Sequence, residues 1–178
     1  MIQQGVIGPV YLDGKAIAAR VTEMGREITQ DYEGGNLLLL SVLKGTVFFM
    51  ADLARAVSLP LEMDYVAISS YQQDHDVPGA SNIQITKDAG MPLFDKDVLV
   101  VEDIIDTGLT LYYILRFLAA KQPRSLEVCT LLDRPYRRLV DLDVRYRGFT
   151  VPDTYFVGYG FDYRQLHRNL PHLAELNV

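Results

Sequence analysis

Three carboxylates, Glu102, Asp103 and Asp106, fall within five residues in the stretch VLVVEDIIDTGLTL, Val98 to Leu111. The four apolar residues that open this stretch read as a strand buried on both faces. The acids that follow repel one another and resist burial. Next comes Asp106-Thr107-Gly108-Leu109-Thr110, between the strand and an amphipathic helix carrying Leu111, Ile114, Leu115 and Leu118 on one side. A helix N-terminus presents unpaired N–H groups and roughly half a positive charge. Glycine allows close approach of the backbone, and two threonines add hydroxyl donors, so the segment suits a phosphate group. The acids upstream cannot bind phosphate but can accept hydrogen bonds from sugar hydroxyls. A phosphate cradle beside diol acceptors describes a ribose 5-phosphate site.

Two alternatives leave more of the pattern without a role. Asp-Thr-Gly also marks aspartic proteases, but that fold is all-β, and here the triplet opens a helix. Helix capping employs one acid and gives Glu102 and Asp103 nothing to do.

The elements that must position these groups alternate between strand and helix. Apolar Ile17, Val21, Met24 and Ile28 recur at helical spacing from Asp13, a suitable N-cap, to about Asp31, with Gly34-Gly35 as the stop. NLLLLSV reads as a strand covered on both faces, and Val47 to Val57 as a second helix with Met50, Leu53, Ala54 and Val57 inward. LEMDYVAIS, DVLVV and SLEVCTLL read as further strands, and Thr107 to about Lys121 as the third helix. The polar stretch SYQQDHDVPGASNIQI is a long loop or a hairpin. From Asp133 onward the chain is rich in Arg, Tyr, Asp and Gly, with short strands FTV and TYFVGY, and suggests a small lobe over one end of the sheet. The pattern predicts an α/β fold with a mostly parallel sheet, whose ligands gather at the carboxyl ends of the strands. Lys44-Gly45, Ser69-Ser70-Tyr71, Glu102-Asp103 and Asp133-Arg134 all stand at such ends.

Composition narrows the function. The chain has 178 residues, enough for one domain with a full core, and a net charge of −6. That charge argues against a surface that coats nucleic acid or an anionic membrane. The single cysteine, Cys129, sits in an apolar strand and reads as a small core residue, in keeping with a reducing cytosol. The first residues lack the pattern of a signal peptide, and the greasiest window is interrupted by Lys44-Gly45 and Asp52.

VLVVEDIIDTGLTL resembles the phosphoribosyl-diphosphate signature of type I phosphoribosyltransferases. SVLKGTVFFMADLAR, ISSY, LLDRP and VGYGFDYRQLHRNLPHL follow the pattern of the hypoxanthine-guanine branch, in the same order. The resemblance implies the type I phosphoribosyltransferase fold, an α/β sheet flanked by helices. It has a core over roughly 10–132 and a hood over roughly 133–178 that includes the N-terminal segment. It implies transfer of a 5-phosphoribosyl group from phosphoribosyl diphosphate to N9 of a 6-oxopurine, with Mg²⁺, in a cytoplasmic homodimer or homotetramer. Neither nucleic acid nor membrane is an expected partner.

By the same resemblance, Asp106 is the general base at purine N7 and also belongs to the phosphoribosyl diphosphate site. The backbone of Thr107, Gly108, Leu109 and Thr110 takes the 5-phosphate, and Glu102 and Asp103 hold the ribose hydroxyls. Lys44 and Gly45 form the diphosphate loop, which in this family often contains a non-proline cis peptide. Arg168 reaches the diphosphate from the hood. Glu102, Asp103 and Asp162 organise Mg²⁺. The base stacks on Tyr155, with main-chain atoms of Phe156 and nearby Asp162 at its edge. Ser70, Tyr71 and the stretch after them close as a lid. Arg134 stands where the family usually has the lysine that donates to O6, and it offers a planar fork instead of a point charge. A xanthine-preferring relative, and an RNA-binding attenuation regulator on the same fold, are the alternatives; the negative charge and the purine-type C-terminal block disfavour the regulator.

Overall fold

The computed structural model describes residues 5–71 and 82–177. In chain order the elements are β1 (Val6–Leu12), α1 (Gly14–Asp31), β2 (Leu37–Leu43), α2 (Val47–Ala56), β3 (Glu62–Tyr71) and β4 (Asn82–Lys87). They continue with β5 (Asp97–Ile105), α3 (Leu109–Ala119), β6 (Ser125–Asp133), β7 (Tyr146–Thr150), β8 (Phe156–Val157) and β9 (Leu173–Asn177). Six strands form one sheet in the order β4-β3-β2-β5-β6-β7, parallel except for β4, which runs antiparallel to β3.

Period-two alternation divides the central strands between two cores. Leu37, Leu39, Leu99, Val101, Cys129 and Leu131 face α1 and α2, where Ile17, Val21, Met24, Ile28, Phe49, Met50 and Leu53 meet them. Leu38, Leu40, Val98, Val100 and Val128 face α3 and its Leu111, Ile114 and Leu118. Helices on both faces are why NLLLLSV is apolar throughout. Cys129 is fully buried in the first core, and burial pushes its thiol pKa up, as befits an inert core residue.

Element ends follow the sequence expectation at α1 and depart from it at α3, where the backbone turns left-handed. Asp13 caps α1 by accepting from Ala16 N at 2.8 Å, and the helix ends at Asp31 as its pattern suggests, three residues before Gly34 turns left-handed (φ +74). The third helix begins at Leu109 instead of Thr107, because Gly108 has φ +81, outside helical space. The two ends of the polar stretch pair as strands: β4 runs antiparallel to β3 through Ser70↔Ile83 and Tyr71↔Asn82. The expected lid, with the side chains of Ser70 and Tyr71 and the stretch after them, lies outside the described residues. Among those residues no helix is long and apolar enough to cross a membrane.

The expected hood boundary also moves. Asp133 does not begin a separate lobe, because β7 returns to pair with β6 in the main sheet through Cys129↔Tyr146 and Asp133↔Thr150. The second sheet is β1-β9-β8, antiparallel throughout, so the N-terminal strand stands beside the late strands of the chain.

Between β6 and β7 the chain crosses over the β5–α3 connection. Arg134 N donates to Ile105 O at 3.0 Å and Leu139 N to Thr107 O at 2.9 Å. Arg138, Val140 and Leu142 pack so close to Gly108 that a methyl group there would lie 2.7 Å from Leu142 Cδ1. The crossover is pinned by Asp133, which is fully buried and pairs with Arg138 and, at 2.5 Å, with Arg147 Nε. Removing one partner of a buried pair leaves the others uncompensated. Asp133→Asn should therefore destabilise the chain by about 3–5 kcal/mol in urea unfolding, and a change under about 1 kcal/mol would show that this carboxylate pins nothing.

Candidate active site

The carboxyl ends of β2, β5 and β6 open into two adjoining cavities that share Gly45, Asp103 and Ile104. The first, about 400 Å³, is lined by Lys44, Arg134, Tyr155, Phe156, Asp162 and Arg168 among others. The second, about 270 Å³, lies over Glu102, Asp106, Thr107, Gly108 and Thr110. Residues expected to act on one substrate from distant parts of the chain are thus brought together.

The loop after β2 is held from below and from both sides. The Leu43–Lys44 peptide is cis. Thr46 Oγ1 donates to Val42 O at 2.6 Å and meets Ser41 Oγ, and both hydroxyls are buried beneath the loop. Gly45 sits between the Asp103 carboxylate on one side and Gly160 on the other. A side chain at Gly45 would overlap Asp103 Oδ2, and one at Gly160 (φ +101) would overlap Gly45 O. Glycine is required on both sides of this contact.

Glu102 and Asp103 are acids in a poor environment for charge. Glu102 is 8% exposed, and burial, then the adjacent Asp103, pushes its carboxyl well above the usual range. Burial likewise raises Asp103, to about 6. The backbone N–H of Ile104, 2.7 Å from Asp103 Oδ1, and the nearby Arg168 act the other way, while Asp162 adds to the rise. A cation or hydroxyl donors arriving here would relieve this penalty.

The expected metal trio is not assembled. Asp162 is engaged by Arg168 NH2 at 2.6 Å and by Gln165 N at 2.7 Å. Among the described residues no three His, Cys, Asp or Glu side chains converge as a metal site. Glu102 and Asp103 remain as the pair that would suit an ion taking few protein ligands and completing its shell from phosphate and water. Arg168 is fixed on the hood by NH1 donating to Gly160 O at 2.7 Å, so it reaches the cavity from the side opposite Asp103.

The phosphate segment is open in the way its sequence suggests. No side chain caps α3. Leu109 N comes no nearer than 3.5 Å to Thr107 Oγ1, too long to satisfy it. The leading N–H groups of the helix therefore keep their capacity for an anion. Leu109 is 44% exposed and does not line the cavity, so only its backbone belongs to the segment.

Tyr155, just before β8, and Phe156, which opens it, both line the first cavity but differ in burial: Tyr155 is 54% exposed and Phe156 only 4%. The Tyr155 ring stands perpendicular to that of Tyr163, with 6.1 Å between centroids. Arg134 does not swing out to solvent. It is 9% exposed, with Nε donating to Pro152 O at 3.1 Å, NH2 donating to Thr154 O, and the guanidinium 5.9 Å from the Phe156 ring.

Arg137 carries no sequence signal of its own. Its Nε lies 2.9 Å from Asp106 Oδ1 and its NH1 2.5 Å from Asp153 Oδ1. Arg134 NH1 stands 3.8 Å from both Asp106 Oδ2 and Asp153 Oδ1. All that marks Arg137 in the sequence is the local density of charge in DRPYRR, which is indistinguishable from a solvated face. Phe161 and Ile104, which line the first cavity, have no chemical signal at all.

The model of the phosphoribosyl transferase domain family matches residues 10–164. The hypoxanthine-guanine phosphoribosyltransferase of Mycobacterium avium is 43% identical over 179 residues, 97% of this chain and 87% of that one. The hypoxanthine phosphoribosyltransferase of Salmonella typhimurium is 44% identical, over 94% of each chain. The crystal structure of a hypoxanthine phosphoribosyltransferase from Staphylococcus aureus superposes with a TM-score of 0.90 at 40% identity, covering 96% of this chain and 92% of that one. These likenesses run through the same sheet end that holds the glycine-packed loop, the two buried acids and the uncapped helix, and the chain belongs to the phosphoribosyl transferase family.

Proposed function

We propose that the protein is a purine salvage enzyme that transfers the 5-phosphoribosyl group from phosphoribosyl diphosphate to N9 of hypoxanthine or guanine. The products are IMP or GMP and pyrophosphate. The observation that carries this is the meeting of two unlike cavities at Asp103 and Ile104. One offers an anion-binding helix end beside acids that can accept from a diol. The other offers an aromatic face beside a donor and an acceptor. The relatives named for hypoxanthine and guanine support the same reading.

In this reading the 5-phosphate rests on the backbone of Thr107 to Thr110, and the ribose hydroxyls donate to Glu102 and Asp103. Lys44, the Gly45 backbone and Arg168 hold the diphosphate. Mg²⁺, bound with the diphosphate beside Glu102 and Asp103, would neutralise charge on the leaving group. The purine lies on Tyr155. Its O6 accepts from Arg134, and Asp106 Oδ2 takes the N7 proton. Bond cleavage at ribose C1 leaves an oxocarbenium-like centre, so catalysis rests on placement and charge stabilisation. A cytosolic homodimer or homotetramer is part of the same proposal.

Assay with phosphoribosyl diphosphate, Mg²⁺ and each purine in turn tests it. Hypoxanthine and guanine should be converted, and adenine disfavoured by about 10⁴-fold, because its 6-amino group would face the donor of Arg134. No turnover with any 6-oxopurine would sink the proposal. Asp106→Asn should lower kcat by roughly 10²-fold or more with smaller effects on KM; near wild-type turnover would remove Asp106 from the chemistry.

The raised pKa of Asp103 makes a separate, activity-free prediction. An unfolded aspartate titrates near 3.8 and the folded one near 6. Between those values the folded chain holds a proton that the unfolded chain has released, so stability falls as pH rises through the window. Measured by urea unfolding without ligands, wild type should lose stability relative to Asp103→Asn between about pH 4 and pH 6. Parallel curves for the two proteins would contradict the burial of this carboxylate.

A further inference from the structure

Four charged side chains close a ring where the two cavities adjoin: Arg134, which lines the first, Asp106, which lines the second, and Arg137 and Asp153 beside them. The ring is uneven. On the Arg137 side the ion pairs are short, 2.9 Å to Asp106 and 2.5 Å to Asp153. The first of these is a charge contact without hydrogen-bond alignment, since Asp106 Oδ1 is buried and accepts no hydrogen bond. On the Arg134 side both gaps are 3.8 Å, too long for a hydrogen bond. The remaining nitrogens of Arg134 are engaged by Pro152 O and Thr154 O. Its NH1 therefore stands next to Asp106 Oδ2 without being bonded to it.

We infer that Arg137 is a positioning residue that keeps Asp106 and Arg134 apart, and so preserves an acceptor and a donor side by side for the purine edge. This rests on the transfer reaction proposed above. A carboxylate and a guanidinium at this separation attract one another, and a bidentate pair is their favoured end state. If Asp106 closed on Arg134, each would satisfy the other and the base would meet neither. Arg137 draws Asp106 Oδ1 the other way, which fixes the carboxylate with Oδ2 turned towards Arg134. It also holds Asp153, a 60%-exposed side chain otherwise able to close on the same NH1. Among the described residues Arg137 makes no side-chain hydrogen bond or ion pair to Lys44, Glu102, Asp103, Thr107, Thr110 or Arg168, so its influence runs through Asp106 and falls chiefly on the base.

Its exposure, 39%, makes it replaceable without unfolding the chain, since an exposed pair contributes little to stability. The experiment is steady-state kinetics on Arg137→Gln, Arg137→Lys and the double variant Arg137→Gln/Asp153→Asn, with melting temperatures alongside. For Arg137→Gln, kcat/KM for hypoxanthine should fall by about tenfold or more, while KM for phosphoribosyl diphosphate moves by less than about twofold. Arg137→Lys restores a cation for Asp106 and should recover part of the loss. The double variant should exceed Arg137→Gln, because Asp153 can no longer compete for Arg134. A purely structural role would lower melting temperature and affect both substrates alike, and that result overturns the inference. So does an Arg137→Gln enzyme within about twofold of wild type on hypoxanthine, or a double variant no better than the single. An inactive wild type would sink the transfer reading itself; an active wild type with an indifferent Arg137 sinks this inference alone.

Discussion

Everything at the site follows from placing two acids at the end of a strand that has no free face. β5 is the third strand from one edge of the sheet and is covered on both sides, so the residues that end it inherit its burial. Glu102 and Asp103 consequently sit where an ionised carboxylate is poorly solvated. The fold does not relieve this with a dedicated cation: Arg168 is the nearest positive influence on Asp103, and it is shared with Asp162. What remains is a pocket whose empty state is electrostatically incomplete, and whose ligand completes it. Positive groups stand apart from this pair in a net negative protein: the uncapped N–H groups of α3, Lys44 and Arg168 all border the same two cavities.

Around that pair, precision is supplied mainly by backbone. The diphosphate loop is packed between Asp103 and Gly160, the phosphate segment is braced by the crossover from β6 to β7, and Arg134 is anchored to two main-chain carbonyls. Backbone contacts leave little rotamer freedom to be lost when substrate arrives, which favours pre-organisation. Side chains enter chiefly where charge must be offered or withheld, as at Asp106 and Arg137.

The parts of this arrangement that are legible in the sequence are those with a local cause. Apolar runs and periodicity mark the central strands and helices, because burial on two faces or one stripe leaves a repeating trace. The acids and the Thr-Gly-Leu-Thr segment stand out because they contradict the strand they end. The start of α3 falls two residues later than its pattern suggests, since a left-handed glycine looks like any other glycine in print. β7 belongs to the main sheet and not to the hood because its pairing with β6 is set by a long-range crossover, not by its five residues. Asp162 groups with the metal acids in the motif because a motif records residue type and order; its engagement with Arg168 and Gln165 is a matter of direction in space. Arg137 is hidden for the opposite reason: its chemistry comes wholly from partners before it at Asp106 and after it at Asp153.

The pairing of β1 with β9 has a bearing on biosynthesis. Val6 lies opposite Asn177 in that pair, so β1 leaves the ribosome well before the strand it pairs with. The six-stranded sheet uses segments that are all complete by Thr150 and can begin to collapse during elongation. The small sheet carrying Phe156 cannot close until β9 arrives, and such distant contacts form late. A nascent chain that stops short of β9 would thus expose the acid pair and the start of α3 while the strand carrying Phe156 has no partner. Closure of the wall that carries Phe156 is thereby tied to translation having passed β9, whatever the state of the larger sheet.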